Sequence, residues 1–366
     1  MATIADAGLT FTTLPHPSPV SAEQRESVLA NPGFGTNFSD HMVTIEWTEG
    51  QGWHDAVIGP RQPIALDPAA SVLHYAQEIF EGLKAYVQAD GSVALFRPEA
   101  NAARFNQSAQ RLAMPELPEA VFVEAIERLV KLDRAWIPAG EGASLYLRPF
   151  MIATEAFLGV RPAKQYKFIV IASPAGNYFK SGAPAVSIWV SDYTRAAPGG
   201  TGAAKCGGNY AASLVPQAEA ISRGHDQVVF LDAAEHKWIE ELGGMNLYFV
   251  FEDGTLLTPA LTGTILPGIT RDSLLQLARE EGLNVVEGKY SLDQWREDSQ
   301  SGKLIETFAC GTAAVVTSVG KVSGRDGEFT IGSGGPGQLT AKLKNRLVSI
   351  QRGEAADTHN WIRKVA

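Results

Sequence analysis

The pattern of apolar and polar positions along the chain predicts short strands separated by amphipathic helices. Alternating or β-branched runs predict strands at residues 42–47, 82–86, 93–96, 144–153, 167–173, 185–191, 227–232, 238–242 and 246–251. Apolar residues spaced three or four apart predict helices at 98–112, 118–132, 209–223, 270–281 and 338–352. Residues 74–81 are typical of a short helix or turn, and 285–290, 304–310 and 315–322 have mixed patterns. Because the strands come in hairpin-like runs with helices between them, the pattern predicts an α+β fold rather than a regular parallel sheet.

Two stretches rich in turn-forming residues indicate how the chain is divided. Residues 1 to about 40 are rich in Pro, Ser, Thr and Gly, and we predict that they form an extended arm. Residues 174–184 are dense in Gly and Pro, which is typical of a connection between domains. The 366 residues are enough for two domains with substantial cores. We therefore predict a smaller N-terminal domain with its arm at 1–175, an interdomain loop at 176–186 and a larger C-terminal domain at 187–366.

Composition excludes several classes of protein. The chain is 45% hydrophobic and 19% charged, as soluble globular proteins are, and its net charge of −9 argues against nucleic-acid binding as the main task. Two cysteines cannot form a disulfide framework, which indicates a reducing compartment. No secretory signal, membrane-spanning run, metal-ligand spacing or serine nucleophile motif is present in the sequence. We expect a cytoplasmic protein without a metal site.

The stretch from Gly199 to Tyr210 places one lysine, Lys205, in a run of glycine, alanine and cysteine. Residues with so little side chain favour close packing or a ligand pressed against the backbone. Burial favours the neutral amine of a lysine, and Schiff-base chemistry requires that neutral amine. A phosphate-binding P-loop is a poor match, because Cys206 stands where a magnesium-binding hydroxyl belongs and the glycine spacing differs. A surface loop with an incidental lysine is the remaining alternative.

Pyridoxal phosphate (PLP) is the cofactor that most often uses a Schiff-base lysine. It also needs a carboxylate at its pyridine nitrogen. Glu240 and Glu241 lie in a predicted strand, so their side chains point to opposite faces and one of them can point inward. Glu241 is our candidate for the partner of the pyridine nitrogen. The alternative is an edge strand in which both glutamates are solvated.

The cofactor's phosphate requires anion-binding groups, and the sequence offers several. Gly268 precedes Ile269 and Thr270 at a predicted helix start, where backbone N–H groups and the helix dipole favour an anion. Thr312, in the small-residue turn 311–314, adds a hydroxyl, and Arg104 adds a guanidinium suited to phosphate, unless it is a solvated helix residue. The glycine-rich stretch 332–337 before the last helix is a rival anion site, which we rank as a loop.

Six motifs occur in one order along nearly the whole chain. They are Phe80-Glu-Gly-Leu-Lys-Ala-Tyr86, Leu145-Tyr-Leu-Arg-Pro149, Lys205-Cys-Gly-Gly-Asn-Tyr210, Glu241-Leu-Gly-Gly-Met-Asn246, Leu266-Pro-Gly-Ile-Thr-Arg271 and Gly311-Thr-Ala313. In this order they resemble the motifs of the branched-chain aminotransferases, which are class IV PLP enzymes with the D-amino-acid aminotransferase fold (fold type IV). The resemblance implies a two-domain α+β enzyme whose larger C-terminal domain binds PLP.

The resemblance also implies roles for individual residues. Lys205 holds the cofactor covalently and then carries the proton between the substrate and the cofactor. The implied cofactor-binding residues are Arg104, Lys205, Tyr210, Glu241, Ile269, Thr270 and Thr312, with Tyr210 on the phenolic oxygen and Glu241 on the pyridine nitrogen. The implied substrate-binding residues are Phe34, Tyr75, Phe80, Tyr146, Arg148, Tyr178, Ala313 and Ala314, with the turn 312–314 receiving the α-carboxylate.

The resemblance implies that Arg148 lets one pocket accept both an aliphatic amino acid and glutamate. An arginine at the pocket edge meets the γ-carboxylate of glutamate and otherwise stays solvated, whereas a charge fixed in the centre would reject leucine through desolvation. The alternative is a strand arginine that faces water. One departure from the family is that the Cys-x-x-Cys of its animal members is replaced by Ala314 and Thr317, so thiol redox control of that kind is not expected.

The implied function is ping-pong transfer of the amino group between L-leucine, L-isoleucine or L-valine and 2-oxoglutarate, giving branched 2-oxo acids and L-glutamate. The implied partners are these small molecules and a second copy of the chain, with Leu158 and Val160 reaching the neighbouring subunit's pocket. D-amino-acid aminotransferase and aminodeoxychorismate lyase, of the same fold, are alternatives, although their chains are shorter. A phosphate-ligand-binding protein without catalysis is the alternative from another class.

Overall fold

The computed structural model describes residues 9–140, 142–176 and 184–365. They form two compact units, one with residues 9–176, 205–207 and 350–365 and the other with residues 184–204 and 208–349. Each unit combines one large sheet with helices, so the predicted α+β fold is confirmed. No helix in these described ranges is both long enough and apolar enough to cross a membrane.

The first unit is built on a 9-stranded sheet. Its strands are β1 (Thr12–Thr13), β2 (His41–Thr48), β3 (Gly52–Pro60), β4 (Glu78–Phe80), β5 (Leu83–Val87), β6 (Val93–Phe96), β7 (Ser144–Ala153), β8 (Gln165–Ala175) and β18 (Ile362–Val365). They are ordered β1-β3-β2-β8-β7-β5-β6-β18, and β4 also pairs with β7. All these pairs are antiparallel except β1 with β3. The predicted hairpin at 82–96 is therefore confirmed.

The helices of the first unit are α1 (Ala22–Ala30), α2 (Ser71–Tyr75), α3 (Pro98–Arg111) and α4 (Glu119–Leu132). Helix α3 begins with a proline, whose fixed φ suits a first helical position. The rings of Phe105 on α3, Phe122 on α4 and Phe168 on β8 pack within 5.3–5.8 Å of one another. This aromatic contact fixes both helices against the sheet, and it fixes the polar side chains of α3 with them.

The predicted extended arm is wrong over residues 22–30, where helix α1 forms. Ser21 and Gln24 make a capping box, in which the serine side chain accepts from the Gln24 N–H and the glutamine side chain accepts from the Ser21 N–H. This start signal is local, and the Pro- and Ser-rich composition around it conceals it.

The second unit contains another 9-stranded sheet. Its strands are β9 (Val186–Val190), β10 (Gln227–Leu231), β11 (Ile239–Leu242), β12 (Met245–Phe251), β13 (Thr255–Pro259), β14 (Asn284–Gly288), β15 (Leu304–Gly311), β16 (Val315–Gly324) and β17 (Gly327–Thr330). They are ordered β11-β10-β9-β16-β15-β12-β13-β14, β17 pairs with β16, and β11 also pairs with β12. Buried aliphatic and aromatic side chains, including Phe249 and Trp295, form the core against this sheet.

The remaining helices are α5 (Gly207–Ala211), α6 (Leu214–Ser222), α7 (Ile269–Glu280), α8 (Leu292–Ser301) and α9 (Gln338–Gln351). The single helix predicted at 209–223 is wrong, because the chain breaks between α5 and α6. At the break, the N–H and the hydroxyl of Ser213 both donate to the Tyr210 carbonyl, which replaces the regular helical pattern.

Two short segments group with the first unit although they lie far along the sequence. Residues 350–365 do so because β18 extends the first sheet beside β6. Residues 205–207 do so because their backbone hydrogen-bonds to β4 and α3. The predicted boundaries at 175 and 187 place both segments in the C-terminal domain, whereas these two contacts place them in the first unit.

Candidate active site

Lys205 is anchored to the first unit through its backbone. Its N–H donates to the Ser108 hydroxyl at 2.9 Å, and its carbonyl accepts from the Phe80 N–H at 2.9 Å. The Gly207 N–H donates to Glu78, and a Cβ at Gly207 would overlap that carboxylate. The Lys205 amine lies 4.7 Å from the centre of the Phe80 ring, and the residue as a whole is only partly buried. Helix α3 and strand β4 therefore fix the backbone position of Lys205.

Ser108 is a positioning residue that sequence reasoning missed. Its side chain is almost completely buried, and its hydroxyl donates to the Arg104 carbonyl one turn earlier at 3.1 Å while accepting from Lys205. One hydroxyl thus connects the backbone of Lys205 to the helix that carries Arg104. Nothing in the sequence singles it out, because its bond to Lys205 joins residues that are 97 positions apart.

We expect Ser108→Ala to lower the free energy of unfolding by about 1–3 kcal/mol, because it removes the acceptor that the Lys205 N–H uses. Urea unfolding measures this change. Ser299→Ala is the matched control, since it loses the same kind of bond, from a helical hydroxyl to the carbonyl four residues earlier, with no lysine N–H involved. Equal losses in the two variants would show that Ser108 does not hold Lys205.

Arg104 is buried and forms an ion pair with Glu81 that the sequence analysis did not anticipate. Its Nε and one terminal nitrogen donate to the two carboxylate oxygens at 2.7 and 2.9 Å, and Asn101 donates to the same carboxylate at 2.6 Å. Burial by itself raises the pKa of Glu81, but the adjacent guanidinium, with help from Lys205, outweighs it and leaves the pKa below its usual value. Arg104 is therefore held rigidly as a cation rather than solvated.

Arg148 and Lys205 both contact the ring of Phe80. The Arg148 guanidinium carbon lies 4.8 Å and the Lys205 amine 4.7 Å from the ring centre. Arg148 also donates to the Tyr146 hydroxyl at 3.1 Å, and its buried Nε has no acceptor among the described residues. The ring of Phe34 packs edge-on against Tyr146 with centroids 5.1 Å apart. This cluster brings four predicted site residues together with Lys205, in an apolar setting with two cations.

The sheet explains why these side chains share one face. Tyr146 and Arg148 alternate along β7 with Leu145 and Leu147, which are completely buried on the other face. Tyr146 is paired with Lys84 of β5, a lysine that the sequence analysis did not single out. Lys84 is 4% exposed, and burial lowers its pKa to about 8. It is the more buried lysine of the two, contrary to the expectation that burial would identify Lys205.

Two other predicted pocket residues are Tyr75, which the structure describes, and Tyr178, which it does not. The Tyr75 hydroxyl donates to the carbonyl of Leu158, and Tyr75 is 40% exposed. Tyr178 lies outside the described residues. Leu158 and Val160, expected to reach a neighbouring subunit, are 62% and 88% exposed.

Both candidate glutamates of β11 are buried, so the edge-strand alternative is wrong. Glu241 is paired with the buried Arg195 at 3.0 Å and accepts from the Leu266 N–H at 2.5 Å. Arg195 in turn donates to the Thr264 carbonyl at 2.6 Å. Glu240, on the opposite face, accepts from the Thr264 hydroxyl, and burial raises its pKa. Arg195 is a further residue that sequence reasoning missed, because its partner is distant in sequence.

Tyr210 packs against the turn that follows Glu241. A Cβ at Gly244 would lie 3.1 Å from the Tyr210 ring, so the glycine allows this close approach. The preceding Asn209 is buried, and its amide donates to the carbonyls of Thr201 and Ala204, each at 2.8 Å. The loop before Lys205 is therefore tied to the helix after it rather than being a free surface loop.

Helix α7 begins at a confined turn. Gly268 has extended dihedrals just before Ile269, and a Cβ there would overlap the Asn246 side-chain oxygen. The Asn246 amide donates to the Leu266 carbonyl at 3.0 Å. The first N–H groups of a helix lack intrahelical acceptors, so those of Ile269 and Thr270 suit an anion.

The small-residue turn at 312–314 is a tight hairpin between β15 and β16, in which Gly311 pairs with Val315. Thr312, Ala313 and Ala314 are all partly buried. Val315 has a φ of 62°, an uncommon value for a β-branched residue. Backbone strain of this kind persists where surrounding structure enforces it, often at ligand-binding turns.

The rival anion site at 332–337 is already filled by a side chain. The Glu306 carboxylate accepts from the N–H groups of Leu339 and Thr340 at 3.0 and 2.8 Å, at the start of helix α9. A Cβ at Gly337 would overlap Glu306. Gly337 leaves room for this carboxylate, which agrees with ranking the stretch as a loop.

Comparison with known proteins agrees with these motifs. The family described as amino-transferase class IV matches residues 78–322. A probable branched-chain-amino-acid aminotransferase from Streptomyces coelicolor is 60% identical over 96% of this chain and 98% of the relative. The solved branched-chain amino acid aminotransferase of Escherichia coli superposes with a TM-score of 0.74 at 29% identity, covering 88% of this chain and 99% of that one.

A second solved structure adds cofactor information. The branched-chain amino acid aminotransferase from Thermobaculum terrenum, solved in its PLP form, matches with a TM-score of 0.70 at 25% identity, over 88% of this chain and 98% of that one. The motifs, the fold and the relatives agree, and the chain belongs to the class IV aminotransferases, within the branched-chain-amino-acid aminotransferases.

Proposed function

We propose that the chain is a PLP-dependent branched-chain-amino-acid transaminase, which transfers the amino group between L-leucine, L-isoleucine or L-valine and 2-oxoglutarate. The observation that carries the proposal is the contact of Lys205 and Arg148 with one Phe80 ring. A lysine that performs the chemistry and an arginine that recognises a distal carboxylate are thereby held on a common aromatic surface. The membership of the branched-chain aminotransferases supports the same reading.

The residues present fit PLP. Glu241 is 2% exposed and paired with a buried arginine, so its charge is stabilised, as a partner of a protonated pyridine nitrogen requires. The start of α7 suits the phosphate, with Ile269 and Thr270 donating from the backbone. Arg104, Thr312 and Tyr210 complete the proposed cofactor-binding set, with Tyr210 on the phenolic oxygen. Lys205 is the proposed covalent attachment point.

When bound, PLP supplies an electron sink for the pair of electrons released at the substrate Cα. The Lys205 amine would accept the proton that leaves this Cα and deliver it to the C4′ carbon of the cofactor, and it would move a proton in the opposite direction in the second half of the transfer. Its backbone N–H and carbonyl are held by Ser108 and Phe80, so the backbone position from which the amine extends is fixed. The turn 312–314, with Ala313 and Ala314, receives the α-carboxylate of the substrate in this proposal.

The aromatic cluster of Phe34, Phe80 and Tyr146, together with Tyr75 and Tyr178, is proposed to enclose the substrate side chain. Aliphatic side chains gain from leaving water for such a surface. Arg148 accommodates glutamate in the same place, since its Nε has no acceptor among the described residues and a carboxylate supplies one. A single site thus serves both halves of a ping-pong reaction.

We expect Arg148→Ala to lower kcat/KM for L-glutamate by about 30- to 150-fold and for L-leucine by less than about 5-fold. The difference arises because only glutamate loses a charge-assisted hydrogen bond, worth about 2–3 kcal/mol. Half-reaction kinetics with each amino acid measure it. Arg161→Ala, which removes a guanidinium paired with Glu155 on the same unit, is the control. Equal losses for both substrates would contradict this role of Arg148.

We further propose that the enzyme acts in the cytoplasm as a homodimer. The two exposed apolar side chains of Leu158 and Val160 support a second copy of the chain as their cover. Analytical ultracentrifugation of the loaded enzyme tests this state, with a single species of twice the chain mass expected.

A substrate panel tests the function as a whole. We expect amino transfer to 2-oxoglutarate from L-leucine, L-isoleucine and L-valine and none from D-alanine. Turnover of D-alanine would instead support a D-amino-acid aminotransferase, and pyruvate release from aminodeoxychorismate would support the lyase. A colourless protein that binds phosphate ligands without turnover would contradict an enzyme altogether.

A further inference from the structure

One carboxylate in the cluster around Phe80 has no role in the proposed function. Glu78 precedes Phe80 by two residues on β4, so the two side chains lie on the same face of the strand. Arg148 and Lys205 both contact the ring of Phe80. Glu78 is half-buried, and one of its oxygens accepts from the N–H of Gly207, two residues after Lys205. It therefore brings a negative charge to a cluster that otherwise holds two cations.

Glu78 is electrostatically coupled to Arg148 as well. Burial raises the pKa of Glu78, while the Gly207 N–H and the charge of Arg148 oppose that rise. The coupling acts through space, because the Nε of Arg148 has no acceptor among the described residues. The carboxylate therefore compensates the guanidinium and leaves its Nε open for a ligand.

We infer that Glu78 is a specificity-determining residue, which balances the charge of Arg148 so that one pocket accepts both aliphatic and dicarboxylic substrates. The inference rests on the proposed function of the same site. With leucine bound, Glu78 reduces the cost of placing an aliphatic side chain beside a cation. With glutamate bound, the same carboxylate repels the γ-carboxylate and limits the advantage that Arg148 gives it.

Glu78→Gln is the direct test, because the amide keeps an oxygen for the Gly207 N–H and removes only the charge. We expect the ratio of kcat/KM for L-glutamate to that for L-leucine to rise by about 3- to 10-fold, as for one charge acting through a partly solvated site. The affinities for glutarate and for 4-methylpentanoate give a readout independent of turnover. Both are measured from the change in absorbance of the bound cofactor at mildly alkaline pH. The affinity ratio should shift toward glutarate by a similar factor.

Two further variants separate charge from structure. Glu78→Asp keeps the charge and shortens the reach to Gly207, so its substrate ratio should stay near that of the parent enzyme even if both rates fall. Glu46→Gln, which removes a carboxylate paired with Lys167 on the same sheet, should leave the ratio unchanged.

An unchanged ratio in Glu78→Gln, or the same change in Glu78→Asp, would overturn the inference and leave Glu78 as a support for the Lys205 segment only. That result is distinct from failure of the proposed function, in which the parent enzyme would not transfer amino groups from L-leucine at all.

Discussion

Lys205→Ala is expected to lower transamination of L-leucine at least about a thousand-fold, since removal of a covalent catalytic group typically costs three or more orders of magnitude. The variant loses both the attachment point of the cofactor and the amine that moves the proton at the substrate Cα. Steady-state turnover with L-leucine and 2-oxoglutarate measures the loss. The fold should survive, because the hydrogen bonds of this residue with Ser108 and Phe80 are made by its backbone.

Lys167→Ala is the control for this substitution. It removes a lysine of the same unit that pairs with Glu46 on the surface of the sheet, and its activity should stay near that of the parent enzyme. Activity of Lys205→Ala within tenfold of the control would contradict the assignment of Lys205.

Glu81→Ala should lower the free energy of unfolding by about 3–5 kcal/mol, the usual cost of leaving a buried partner charge uncompensated. Glu81 is completely buried, and both of its carboxylate oxygens accept from the Arg104 guanidinium. Chemical unfolding at neutral pH measures the change. The loss should be largest above the pKa of an unfolded glutamate, and it should shrink as the pH falls through the lowered pKa of the folded state.

Two comparisons separate this effect from a general loss of surface charge. Glu219→Ala breaks a more exposed pair between helix α6 and Arg223 at its C-terminal end, and should cost less than about 1 kcal/mol. Replacing both partners, as Glu81→Leu with Arg104→Met, should recover part of the stability because no buried charge remains. A cost for Glu81→Ala no larger than that for Glu219→Ala would mean that the pair is not buried in solution.

Much of the fold could be predicted because its signals are local. The hairpin of β5 and β6 turns at Asp90-Gly91, and helix α3 shows its apolar face through Ala102 and Phe105. The signals that were missed are also local, but they depend on side-chain hydrogen bonds rather than on hydrophobic spacing. The Ser21 capping box starts α1, and the Ser213 hydroxyl ends α5.

In the candidate site, some residues could be predicted from the sequence and others could not. Residues with a distinctive sequence context, such as Lys205 among small residues and Glu241 before a glycine pair, could be singled out. Their partners could not, because Ser108, Glu81 and Arg195 make only tertiary contacts with the residues that they position. The expectation that burial marks the reactive lysine also fails as a guide, since Lys84 is the more deeply buried amine.

The contrast between these two lysines makes the attachment of the cofactor the most direct measurement. The enzyme is loaded with PLP, reduced with borohydride, digested and analysed by mass spectrometry. We predict a single phosphopyridoxyl group on the peptide that contains Lys205. Modification of Lys84 in its place, or a digest in which no lysine carries the group, would contradict it.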